Sequence, residues 1–329
     1  MGLIGSAVKN ALLWVYWYPF RVFVRKMPAR YIYFLAGLLG SALRLMARNR
    51  RRALEEEYSR FMGRDGEKMR HAVRDAFAVN AVKDLEVLVY PALNSGNIAD
   101  FVECEGLENL DAALGRGKGA MLVFAHFGSN QMIMPAIGYR GFKMSQVSAP
   151  PTVWEEKLPG EKGAMWKRGL EIRWRHEQSL PVTHINVFGA MKEVFLCLRR
   201  NEVLGIAMDG GGGKTRVAAE FLGGMAFFST GAMEIAERTR CAVLPAFIVR
   251  EGGGRHRLVI EPPMGDETGE GFVERRTAAF VKRLEEYVRR HPGHYLGFLA
   301  FRRFMEEHGD APFFKSRHRN AGESKRDED

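Results

Sequence analysis

Apolar positions fall into short runs separated by longer amphipathic stretches. Ala120 to Ala125 (AMLVFA), Val203 to Met208 (VLGIAM) and Cys241 to Val249 (CAVLPAFIV) are unbroken apolar runs, and they read as buried strands. Lys143 to Ser148, Leu180 to Asn186 and Arg257 to Glu261 add further predicted strands. Helical spacing of apolar residues runs through Ala53–Met62, Glu67–Val79, Ala81–Leu93 and Leu107–Leu114. It returns near Asn130, over Ala190–Arg199, from Gly231 to Arg238, over Gly269–Arg290 and over Tyr295–Met305. Strands alternating with helices predict an α/β fold, a single central, mostly parallel sheet covered by helices. Val153 to Arg175, polar with three spaced tryptophans, fits either a surface helix or a flap.

The N-terminal pattern is different. Tyr31 to Ala47 is apolar except for Arg44, and Ala11 to Val24 mixes Trp and Tyr with an arginine and Pro19. The first run is marginal for a membrane span, which takes about 20 residues. Lysine plus arginine total 49 against 39 acidic residues. Ten of those cations and no acidic residue lie in residues 1–54, so the basicity belongs to this segment and the remainder is balanced. Aromatic rings beside cations are what an anionic bilayer surface selects, and they argue against a nucleic-acid partner. The expectation is therefore a hydrophobic, basic membrane-anchoring helical segment over residues 1–54, lying in the interface or spanning once. Residues 55–314 form the α/β domain, and residues 315–329, charged and almost without apolar positions, form a disordered tail.

The chemistry centres on GAMLVFAHFGSNQ. His126 directly follows a buried strand, and Ser129 is a candidate N-cap for the helix after it. The carboxyl end of a strand facing a helix start is where ligands bind in α/β folds. The second buried strand ends at Asp209, followed by four glycines and then Lys214, Thr215 and Arg216. A phosphate loop would need glycine at 208, where the chain has Met208, so this run reads as a flexible loop. Lys214 and Arg216 beside it are candidates for binding a substrate phosphate. Three scattered cysteines exclude a disulfide framework and a structural zinc site, and no ligand spacing suggests another metal.

AHFGSNQ at Ala125–Gln131, the strand ending at Asp209, FLGG at Phe221–Gly224, FFSTGAMEIAERTRCAVLPAF from Phe227 and PGHYLGFLAFRRF near the C-terminus occur in this order. In that order and spacing the chain resembles the lysophospholipid acyltransferase superfamily, in particular its bacterial branch of lipid A late acyltransferases and phosphatidylinositol mannoside acyltransferases. The resemblance implies transfer of a fatty acyl group from acyl carrier protein or acyl-CoA to a hydroxyl of a glycolipid or lysolipid, with no bound cofactor. It also implies a place at the cytoplasmic face of a bacterial inner membrane, among membrane lipids. His126 would be the general base, and backbone N–H groups over Gly128, Ser129 and Asn130 would face the oxyanion. The family motif has an acid five residues after its histidine, and here that position is Gln131. Gln131 orients the ring by its amide, or Asp209 or Glu220 supplies the charge, or the protein binds lipid without catalysis.

Overall fold

The computed structural model describes residues 3–160, 162–189, 191–210, 215–250, 254–265 and 269–315. Seven strands form one sheet in the order β1-β9-β8-β2-β5-β3-β4. They are β1 Val102–Glu105, β2 Ala120–Phe124, β3 Met144–Ser148, β4 Val182–Asn186, β5 Val203–Ala207, β8 Ala242–Arg250 and β9 His256–Ile260. Strands β8, β2, β5, β3 and β4 are parallel to one another. β9 runs antiparallel to β8, because the link between them is too short for a crossover, and β1 pairs in parallel with β9. β1 (VECE) carries no apolar run, so nothing in its pattern marked it as a strand.

Side chains of β2 alternate between the faces of the sheet. Ala120, Leu122 and Phe124 join one buried cluster, and Met121, Val123 and Ala125 join the other. The first is closed by helices α1 Leu3–Val15, α2 Arg21–Arg25, α3 Ala29–Met46 and α5 Gly66–Val89, together with α6 Ile98–Phe101, α7 Leu107–Leu114 and α8 Ile133–Gly138, while α4 Arg48–Phe61 packs its Leu54 and Tyr58 in a smaller cluster with α5 and Leu296. α5 joins the two predicted runs Glu67–Val79 and Ala81–Leu93 into 24 residues, and Asp65 caps it by accepting from the N–H groups of Glu67 and Lys68. The Trp-bearing stretch contains α9 Trp154–Lys157 and α10 Ala164–Glu177. On the other face lie α11 Lys192–Arg199, α12 Gly231–Thr239, α13 Phe272–Arg290 and α14 Gly293–Glu307. A two-stranded hairpin, β6 Arg216–Phe221 and β7 Gly224–Ser229, turns at Leu222-Gly223. Both turn residues have positive φ (51° and 79°), which accounts for the FLGG run.

The N-terminal expectation is corrected. No helix among the described residues is long and apolar enough to cross a membrane. The physical reason is visible in the segmentation. A π-turn containing Pro19 and a break at Pro28 divide the stretch. What remains as α3 is 18 residues, about 27 Å at the α-helical rise, with Arg30 and Arg44 near its ends. Its inward face is core: Ile32, Tyr33 and Ala36 are buried, and a Cβ at Gly40 would lie 2.9 Å from the Ala78 Cα. The residues that suggested a bilayer thus serve partly to seat α3 on α5, while Leu12, Trp14, Phe34 and Leu45 remain exposed. The expected membrane-anchoring helix, and with it the single N-terminal span of the inner membrane, are therefore corrected: the segment supplies no spanning helix among the described residues. Beyond Lys315, the expected disordered tail lies outside the described residues.

Candidate active site

The parallel pairing of β2 with β5 assembles the site. Their register runs from Ala120 opposite Val203 to Phe124 opposite Ala207, a constant offset of 83 residues. Carried two residues past the strands, that offset sets His126 beside Asp209. His126 Nδ1 lies 2.7 Å from Asp209 Oδ1, and the His126 backbone N–H donates to Asp209 Oδ2 at 2.8 Å. Tyr295 donates its hydroxyl to the same Oδ2 at 2.9 Å. Burial, and next the Asp209 charge, push the Tyr295 phenol well up, so it remains a donor.

A carboxylate accepts, so Nδ1 carries the proton and Nε2 keeps its lone pair. The Asp209 side chain is fully buried, whereas 43 % of the His126 side chain is exposed. One end of the pair is thus fixed inside the protein and the other is presented to a ligand. Phe298, three residues after Tyr295 on α14, stacks on the imidazole at 4.8 Å and 2°. Residues spaced by three share a helix face, so one helix holds both the ring and its carboxylate.

Backbone geometry turns the chain sharply after the histidine. Gly128 has φ +56°, and a Cβ there would meet the Ile248 carbonyl oxygen at 2.3 Å. Its N–H donates to the His294 carbonyl at 3.0 Å, so Gly128 is not available as an oxyanion donor. Ser129 and Asn130 begin a short 3₁₀ turn, and no hydrogen bond among the described residues uses their N–H groups. Ser129 does not cap a helix, since its buried hydroxyl has no partner. His294 lies beneath this turn, its Nε2 accepting from the Arg250 N–H at 2.9 Å, and burial pushes its pKa down to about 3.

The remaining candidates separate. Gln131 does not touch His126. Its Oε1 accepts from Arg173 Nη2 at 3.0 Å and from the Tyr90 hydroxyl at 3.4 Å, and its Nε2 donates to Glu177 Oε1 at 3.3 Å. Glu220 is exposed on β6, opposite Met225, and forms no hydrogen bond or ion pair with His126. Arg216 donates to the Pro312 carbonyl at 3.3 Å and lies over the Phe227 ring. Lys214 lies outside the described residues. Tyr295, Phe298, Arg173 and Glu177 were not singled out from the sequence. For the first two, the three-residue spacing of Tyr295 and Phe298 within HYLGF was an available signal.

Comparison with known proteins places the chain among acyltransferases by sequence. The family model described as bacterial lipid A biosynthesis acyltransferase matches residues 6–304. A phosphatidylinositol mannoside acyltransferase of Mycobacterium tuberculosis (strain CDC 1551 / Oshkosh) is 27 % identical over 213 residues, 63 % of this chain and 62 % of the relative. Its counterpart from strain ATCC 25618 / H37Rv is 26 % identical over the same shares. The chain thus covers about three fifths of the length of the curated relatives it matches.

Proposed function

The chain belongs to the bacterial lipid A biosynthesis acyltransferase family, and from that premise we propose that it transfers a fatty acyl group from an acyl thioester to a lipid hydroxyl. The donor is acyl carrier protein or CoA carrying the chain, and the acceptor is a glycolipid or lysolipid. The observation that carries this reading is the His126–Asp209 pair, buried at the carboxylate and open at the imidazole.

His126 Nε2 takes the proton of the acceptor hydroxyl as its oxygen attacks the thioester carbonyl. Asp209 holds the Nδ1–H and stabilises the imidazolium that forms. The N–H groups of Ser129 and Asn130 face the oxyanion of the tetrahedral intermediate. On collapse the carbon–sulfur bond breaks, and the imidazolium returns the proton to the departing thiolate, leaving ester and free thiol. A protein that only binds lipid was suggested by Gln131 standing where an acid is expected. Asp209 against the ring supports the catalytic reading over that one.

The test is acyl transfer by purified protein, with acyl carrier protein and CoA thioesters offered separately. His126→Ala should lose about 10²–10⁴-fold in rate with its fold intact. Near wild-type transfer by His126→Ala would overturn the reading.

A further inference from the structure

Gln131 sits between opposite charges. Its amide oxygen faces the Arg173 guanidinium and its amide nitrogen faces the Glu177 carboxylate, while Arg173 Nε also donates to Glu177 Oε1 at 3.0 Å. The network fixes the amide orientation, since the flipped amide would turn its NH₂ toward a cation and its oxygen toward an anion. Glu177 is buried, with its side chain 4 % exposed, whereas the Arg173 side chain is 33 % exposed. Arg173 Nε and Nη2 are both engaged, and Nη1 has no partner among the described residues.

A second cation lies in the same field. Burial pushes the Lys83 ammonium down to about 8, and the charges acting on it include Glu86, Asp84, Arg173 and Asp209. Lys83 therefore stands within electrostatic reach of both the Arg173 cluster and the carboxylate that holds His126. The Lys83 side chain makes no hydrogen bond or ion pair among the described residues. An arginine clamped on one edge with a donor left over, near an unpaired lysine, is suited to an oxyanion with several acceptor oxygens.

We propose that Glu177 supplies from α10 the negative charge that Gln131 lacks. Together the two act as positioning residues that hold Arg173 to bind a phosphate group of the substrate at the turn that follows His126. This rests on the acyl-transfer reading above. The phosphate belongs either to the acceptor lipid or to the donor's carrier arm. Gln131 and Glu177 are then a matched pair. A carboxylate at 131 requires an amide at 177, because two carboxylates at about 3.3 Å cannot both stay charged.

The experiment is a charge swap, read by steady-state kinetics with donor and acceptor varied in turn. Glu177→Gln leaves Arg173 without its ion-pair partner, and Gln131→Glu sets two carboxylates together. Each should lower kcat/KM at least about tenfold, mainly through KM. The double variant Gln131→Glu/Glu177→Gln restores one carboxylate and one amide around Arg173 and should recover to within about threefold of wild type. Which KM rises in Glu177→Gln, acceptor or donor, identifies the molecule carrying the phosphate. An unchanged kcat/KM in Glu177→Gln would overturn the inference, as would a double variant that does not fold or is no more active than the singles. His126→Ala, run alongside, separates the failures: an inactive His126→Ala with no rescue by the swap removes this inference alone, whereas an active one removes the acyl-transfer reading.

Discussion

Replacing Asp209 by asparagine tests the site at its fixed end. Asp209 Oδ2 accepts two donors, the His126 N–H at 2.8 Å and the Tyr295 hydroxyl at 2.9 Å, and Oδ1 faces His126 Nδ1 at 2.7 Å. An asparagine has one oxygen, and the two donors claim it. Its NH₂ group must then face Nδ1, which has to become an acceptor, so the ring proton moves to Nε2. The nitrogen presented to the substrate then carries a proton and cannot take another. The imidazolium also loses its buried counter-charge. In a histidine–aspartate pair of this kind the same change costs about 10⁴-fold in rate, or about 5.5 kcal/mol of barrier. For Asp209→Asn we expect a fall of about 10³–10⁴-fold with near-normal circular dichroism. The assay is single-turnover transfer from radiolabelled acyl donor, which reads the chemical step without product release. A folded Asp209→Asn protein within about tenfold of wild type would refute the tautomer argument and leave Asp209 a purely structural residue.

Two further outcomes follow from the backbone and from buried histidines. Gly128→Ala forces a Cβ to 2.3 Å from the Ile248 carbonyl at a positive φ, and should lower stability in urea unfolding by at least about 2 kcal/mol; a variant of unchanged midpoint would show that the turn relaxes freely. His176 accepts from Arg25 and donates to the Val87 carbonyl, His294 accepts from the Arg250 N–H, and burial pushes their pKa values down to about 4 and about 3. Both are depressed below the unfolded value near 6.5, so the unfolded chain binds the extra protons. Their stabilisation is complete above pH 6.5 and is lost as pH falls toward 4 and 3, by about 2 kcal/mol for each at pH 5. His176→Gln, which can make the same two hydrogen bonds, should recover about half of that loss between pH 7 and pH 5; an unchanged slope would count against it.

Much of the sheet was legible because buried parallel strands leave continuous apolar runs, as β2, β5 and β8 do. β1 was not, since an edge strand of four residues needs no such run. The N-terminal segment misled because aromatic and apolar residues look alike whether they face lipid or a neighbouring helix. Gly40 against Ala78 is a detail of helix crossing that composition does not contain. At the site, His126 was marked by its place after β2, and Asp209 by its place after β5. What joins them is the strand register, a long-range property, and so Gln131 was read first as the partner, with Asp209 and Glu220 as alternatives. The Gln131–Arg173–Glu177 cluster was hidden for the same reason, with 42 and 46 residues separating its contacts.

The clamp from α14 also has a bearing on timing. A ribosome has delivered both His126 and Asp209 well before it reaches Tyr295 and Phe298. A nascent chain ending before Gly293 would hold the sheet strands and the reactive pair, yet would lack the ring that stacks on the imidazole and the hydroxyl that braces the carboxylate. Competence therefore arrives late and at once, when one helix docks, and not gradually as the sheet grows.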